Sequence, residues 1–347
     1  MSGPVASGDA AQPGTWPALP PWLAPTAAAL AAQRDRWTHA WLIEGQRGVG
    51  KRALALDLAR TLVCEARRAD GRACGACPGC VWAAAGQHPD LRLVEPVDID
   101  DEGRATPVDA IRIDAVRALT QWAQVSSHRR GAKVAVIVPA ERMNGAAANA
   151  LLKTLEEPPA GTYLLLVAHQ SARLPATVAS RCRRLAVGRP DAGEARRWLA
   201  AQEVADAGTL LAQAGGAPYV ALALADAALQ AERSAWLAAL ARPEALSPVA
   251  LAARVELGGR EERRDRLAAA LDWLLGWTAD LARLAAGGDV RANPDQEDAL
   301  RTLAAKVARI SLFRYHRQVL AQRSLLTHPL QPRLVAELLL ADYRALF

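Results

Sequence analysis

Gly45-Gln46-Arg47-Gly48-Val49-Gly50-Lys51-Arg52 is the stretch that decides the fold of this chain. It follows the phosphate-loop pattern GxxxxGK[ST] up to its last position. It lies between a short apolar run, His39 to Glu44, and a stretch in which Leu54, Leu56, Leu58 and Leu62 mix with alanines. Strand, glycine loop, helix is the order of a nucleotide-binding α/β unit. In such a loop the glycines let backbone N–H groups turn inward around phosphate. The lysine meets the β- and γ-phosphates, and the following helix aims its positive end at the anion. Gly45, Gly48, Gly50 and Lys51 are therefore the candidate nucleotide contacts.

The last position breaks the pattern. A Ser or Thr there would ligate Mg²⁺ through its hydroxyl, whereas Arg52 brings a positive charge and only hydrogen-bond donors. A second element departs as well. Lys133 to Val138 is a continuous apolar run of the kind buried in a parallel sheet. Its end should carry one acid to hold metal and one to orient water, yet Val138-Pro139 stands there. Glu44 and Glu141 are the nearest acids in sequence, and Glu141 lies three residues past the strand, out of place for a substitute. Two missing metal-binding elements predict a site that does not hydrolyse. The glycines then either hold nucleotide weakly or only preserve a turn, and the residues do not choose between these.

Outward from the loop, Trp22 to Arg36 reads as a helix and Leu91 to Val94 as a strand. Ile111, Val116 and Leu119 follow helical spacing. Asn144 is placed to cap a helix through Glu157, ended by Pro158-Pro159, with Leu151, Leu152 and Leu155 as its buried face. Thr162 to Ala168 is another buried strand. After Pro190 the strand signals stop. Short helices break at Gly215-Gly216-Ala217-Pro218, and amphipathic helices from Ser247 onward break at Gly258-Gly259, Gly287-Gly288, Asn293-Pro294 and His328-Pro329. The predicted fold is a parallel α/β sheet flanked by helices, followed by all-α segments.

Cys64, Cys74, Cys77 and Cys80 form C-x9-C-x2-C-x2-C, with Gly and Pro between the last three. Four thiolates on a short turning loop suit a closed tetrahedral zinc site, structural rather than catalytic because no ligand position remains for water. An iron–sulfur cluster is the lesser alternative. Cys182 stands apart as an ordinary small residue. Five cysteines, an odd number, with no secretory leader read at the N-terminus, argue against a disulfide framework and for a cytoplasmic setting.

The 347 residues suggest two or three domains, and 51% hydrophobic content with mean hydropathy near zero is globular. No apolar run is long enough to cross a membrane. A net charge of +6 fits a protein near nucleic acid, but the excess is spread thinly. Arg314 to Arg333 is basic, and a solvated face explains it at least as well as a DNA contact.

Several strings together resemble the bacterial clamp-loader ATPase family of the AAA+ class. They are the phosphate loop with a helix ending at Cys64, the Cys74-Gly75-Ala76-Cys77-Pro78-Gly79-Cys80 module, Asn149-Ala150-Leu151-Leu152-Lys153-Thr154-Leu155-Glu156-Glu157-Pro158-Pro159, and Ser180-Arg181-Cys182. The resemblance covers residues 22–185 and extends to the C-terminal half only as a helical pattern. The family's tau/gamma motor branch hydrolyses ATP with intact metal elements. Its delta-prime branch carries the zinc module and Ser-Arg-Cys with a degraded nucleotide site, so Arg52, Val138 and Pro139 make delta-prime the closer likeness. Near Gly216 the motor branch has an arginine that senses the γ-phosphate, and Tyr219 stands there in this chain.

The resemblance implies a flexible lead-in over residues 1–21, an AAA+ domain over 22–188, a helical lid over 189–245 and a helical collar over 246–347. It implies that Arg181 reaches the ATP of a neighbouring motor subunit, that zinc is structural and ATP binding by this chain is in doubt. The implied partners are the tau/gamma and delta subunits, with the sliding clamp and primed DNA met through the complex. Two other readings stay open on residues alone: an active ATPase using Lys51 and a relocated acid, and a zinc-containing DNA-binding module.

Overall fold

Lys133–Ile137 is buried along its whole length and Thr162–Ala168 nearly so, which requires cover on both faces of the sheet. In the computed structural model, residues 17–99, 105–129, 131–326 and 331–347 are described. The first sixteen residues of the lead-in and the break at His328-Pro329 lie outside them. The chain divides into Asp9–Glu194 and a second unit containing Ala195–Phe347.

Among its described residues the first unit has seven strands: β1 (Ala40–Glu44), β2 (Leu91–Val94), β3 (Val97–Ile99), β4 (Ala105–Pro107), β5 (Lys133–Ile137), β6 (Thr162–Ala168) and β7 (Arg183–Ala186). Five pair in parallel in the order β2-β5-β6-β1-β7, while β3 and β4 form a separate antiparallel pair. β1 lies between β6 and the edge strand β7, with Leu42 opposite Leu166 on one side and Arg184 on the other. The helices are α1 (Ala24–Ala32), α2 (Lys51–Val63), α3 (Pro78–Ala84), α4 (Ile113–Gln124), α5 (Gly145–Glu156) and α6 (Ala176–Ala179).

The Asn144 cap forms as predicted, its side chain accepting from the Ala147 N–H at 2.8 Å. Leu151 and Leu155 are buried, but Leu152 is only half-buried at the rim, about a quarter-turn round the helix. Ile111 is not helical: it makes an isolated bridge with Met143 before α4 begins. Its burial satisfies the apolar spacing without the helix, and Arg112 is the extended cap. Strands β3, β4 and β7 and helix α3 were not anticipated.

The second unit continues α7 (Ala192–Ala201) with α8 (Ala207–Gln213), α9 (Pro218–Leu224), α10 (Ala227–Leu240), α11 (Pro248–Ala252), α12 (Arg260–Ala285), α13 (Glu297–Ala304), α14 (Arg309–Ser324) and α15 (Pro332–Arg344). Among the described residues, no single helix is long and apolar enough to cross a membrane. The apolar residues fall into two cores. Ala195, Leu199, Leu210, Leu211 and Ala221 form the smaller, and Trp236, Leu267, Leu274, Trp277, Leu300, Leu312 and Tyr343 belong to the larger. Buried polar groups tie the larger core together. Asp280 accepts from the backbone N–H groups of Arg291, Ala292 and Asn293, fixing the Asn293-Pro294 break. Arg233 forks onto Asp295 at 2.8 and 3.0 Å and reaches Asn293 Oδ1 at 2.7 Å.

Tyr343 is central to this network. Its hydroxyl accepts from Trp277 Nε1 and donates to the Leu240 carbonyl, both at 2.8 Å. Tyr343→Phe leaves a buried donor and a buried acceptor unpaired, and should cost about 1–3 kcal/mol in urea unfolding. Unchanged stability would show that these bonds contribute nothing net.

Candidate functional site

The phosphate loop leaves β1 at Glu44 and enters α2 at Lys51. Gly45, Gly48 and Gly50 all have positive φ, at 147°, 80° and 95°. At Gly45 a side chain is also excluded by space, since a Cβ would lie 2.2 Å from the Val187 carbonyl oxygen. Trp22 Nε1 donates to the Val49 carbonyl at 2.9 Å, and Arg189 Nε to Gln46 Oε1 at 2.5 Å. Lys51 is fully buried and its ammonium turns back onto the Gln46 carbonyl at 2.6 Å.

Arg52, at the position of the metal-ligating hydroxyl, is buried and forked onto Glu95, with Nε–Oε1 at 2.9 Å and Nη2–Oε2 at 3.2 Å. The residue that would offer a metal-ligating hydroxyl is instead a buried guanidinium, balanced by Glu95 just beyond β2. Glu141 is committed elsewhere: its Oε1 accepts from the N–H groups of His169 and Gln170 at 3.0 and 3.1 Å, closing the turn after β6. Glu44 pairs with Arg184 at 3.4 Å.

His169 was missed by sequence reasoning. It follows β6, the neighbour of β1, at the carboxyl edge of the sheet where such folds bind ligands. Burial, together with the positive charges of Lys51, Arg47 and Arg142, pushes its pKa down to about 3, so the imidazole stays neutral near pH 7. Its place after a buried strand was the only available signal.

Arg181 stands between α6 and β7. One arm of its guanidinium donates to the Thr177 carbonyl at 2.8 Å and the other meets Glu156 Oε1 at 2.5 Å. The buried Cys182 thiol points at the Val178 carbonyl, and burial pushes its pKa up to about 11, so it stays protonated near pH 7. Arg181 does not join the phosphate-loop cluster: its polar contacts run to Thr177, Ser180 and Glu156.

The four cysteines converge, their sulfurs all within 4.8 Å of one another. Cys64–Cys77 and Cys74–Cys80 are 3.8 and 4.0 Å apart. Metal–sulfur bonds of 2.3 Å in a tetrahedron place sulfurs about 3.8 Å apart, so the geometry fits a four-thiolate ion. The surroundings favour the thiolate at Cys74 and Cys77, while burial pushes the Cys64 and Cys80 thiols up. Backbone N–H groups of Cys74, Cys77 and Glu65 point at the sulfurs of Cys64, Cys74 and Cys77 at 3.2–3.4 Å. At Cys77 burial works against ionisation, but the surrounding donors prevail and bring its pKa down to about 6. Gly79, in the first turn of α3, fits where a Cβ would lie 2.7 Å from the Val63 carbonyl oxygen.

A phosphate loop between β1 and α2, a parallel sheet in this order, a four-cysteine insertion and a Ser-Arg-Cys turn before β7 define the AAA+ clamp-loader class. Residues 27–190 match the family model described as DNA polymerase III, delta subunit. A DNA polymerase III subunit delta' from Yersinia pestis is 33% identical over 310 residues, covering 86% of this chain and 87% of that one. The one from Pseudomonas aeruginosa is 42% identical over 205 residues, 58% of this chain and 60% of the relative's length. Among solved structures, a DNA polymerase III gamma subunit-related protein from Thermotoga maritima is similar at 19% identity and a TM-score of 0.44, over 92% of this chain and 99% of that one. The chain belongs to the delta-prime family of bacterial DNA polymerase III clamp-loader subunits.

Proposed function

We propose that this chain is a non-hydrolysing stator of the replicative clamp loader. The observation that carries the reading is the Arg52–Glu95 pair. It occupies the position of a Mg²⁺-ligating hydroxyl with a neutralised cation, in a chain whose β5 ends in Val138-Pro139 rather than in acids. Without a metal, Gly45, Gly48, Gly50 and Lys51 keep the shape of a phosphate loop but cannot polarise the γ-phosphate. Catalysis is then offered outward. Arg181, its side chain 36% exposed, supplies a permanent charge and forked donors to ATP held by a neighbouring motor subunit.

In this reading residues 22–188 are the AAA+ domain, 189–245 the lid and 246–347 the collar. The collar joins tau/gamma and delta subunits, and the assembly opens the sliding clamp and places it on primed DNA in the cytoplasm. Zinc holds Cys64, Cys74, Cys77 and Cys80 in one structural module.

Metal analysis of the gel-filtered chain should find one zinc per polypeptide, lost when Cys74 and Cys77 are replaced by Ser. A stable, zinc-free preparation would remove that part of the reading. Arg181→Ala should lower the steady-state ATPase of the reconstituted assembly severalfold, since an arginine finger is worth about 10³–10⁵ at the site it serves. The subunit should fold and assemble normally. Unchanged turnover would exclude a trans-acting role.

A further inference from the structure

Arg181 and Glu156 form a surface pair, exposed to the same degree as Arg323–Asp272, unlike the two enclosed arginine pairs at Arg233 and Arg52. Arg233 is a strut: its side chain is 4% exposed and holds Asp295 and Asn293 through three bonds. Arg52 is likewise enclosed, at 9%. The Arg181–Glu156 pair lies at the surface, with side chains 36% and 49% exposed and a single ionic contact. Exposed pairs of this kind contribute little to stability and exchange readily with solvent or another anion.

Glu156 is the last residue of α5, ahead of Glu157 and the two prolines. Helix C-termini carry partial negative charge and disfavour acids there. The cations that offset this are Lys153 in the last turn of α5 and Arg181, brought alongside because α6 packs against α5. The other arm of the guanidinium rests on Thr177, a carbonyl of α6. The carboxylate thus holds one arm of the guanidinium as a phosphate oxygen would, through a charge-assisted N–H contact to an oxyanion.

We infer that Glu156 is a positioning residue that parks Arg181 in an idle pose, so that a neighbour's γ-phosphate must displace a carboxylate of this chain before the arginine engages. This rests on the trans-arginine reading above. A parked arginine lowers the competent fraction of the interface and raises the apparent ATP requirement by the same factor. The weakness of exposed pairs limits that factor to about two- to fivefold.

The test is the ATP dependence of steady-state hydrolysis by the reconstituted assembly. Glu156→Gln should lower the apparent KM for ATP two- to fivefold with kcat unchanged, and Glu156→Asp should restore the wild-type KM. In an Arg181→Ala background, Glu156→Gln should have no further effect. An unchanged or raised KM in Glu156→Gln overturns the parking role, as does a KM shift that persists without Arg181. If Arg181→Ala alone leaves both kcat and KM untouched, the trans-arginine reading fails and the parking role fails with it. That result is distinguishable from a failure of parking alone, in which Arg181→Ala impairs hydrolysis while Glu156→Gln leaves KM as it was.

Discussion

The turn out of β1 has no room for a side chain. At Gly45 the backbone runs against the Val187 carbonyl just after β7, while the Val187 N–H bonds the Glu44 carbonyl at 2.8 Å. That close approach locks β7 onto β1 and sets where the phosphate loop begins. The position of α2 follows, with every residue of the helix except Arg60 buried. The helix in turn delivers Cys64 to the four-cysteine cluster at its carboxyl end and Arg52 to Glu95 at its amino end. One steric constraint thus orients both chemical features of the first unit.

Within that frame the charges have been redistributed rather than lost. A working phosphate loop leaves its anion-facing end to be completed by nucleotide and metal. Here Lys51 turns to the Gln46 carbonyl, Arg52 to Glu95, and Arg189 to the Gln46 side chain. Burying Arg52 is offset by Glu95, which accepts from Nε and Nη2 while Nη1 stays buried without a hydrogen-bond partner, and removing either residue would strand a charge in a poorly solvated place. Burial and the nearby cations also hold His169 neutral, so the carboxyl edge of the sheet gains no further positive charge near pH 7.

The parts of this architecture legible from sequence are those written as uninterrupted local patterns. β1, β5 and β6 read as buried strands because both faces are covered, and the cysteine spacing alone indicates convergence on one ion. β7 escaped because an edge strand has less to bury: it begins Arg183-Arg184, with the Arg183 guanidinium stacked 4.8 Å over Trp41. Ile111 misled because a buried residue in a bridge satisfies the same spacing as one on a helix. The site divides in the same way. Arg52 is conspicuous as a broken motif, but its partner Glu95 is 43 residues away in sequence and only the fold brings them together. Glu156 and Arg181 each sit in a recognisable string, yet nothing in either string announces that they touch.

In the proposed stator, the phosphate loop of this chain does not recruit nucleotide together with Mg²⁺. Equilibrium titration of the purified chain with a fluorescent ATP analogue, with and without Mg²⁺, tests it most directly. The account predicts no Mg²⁺-dependent saturation up to roughly 1 mM nucleotide, the weak end of ordinary substrate affinities. Saturation at about 10 μM that requires Mg²⁺ would contradict it. The Arg52–Glu95 pair would then have to open to admit a metal, and the chain would have to be regarded as a motor in its own right.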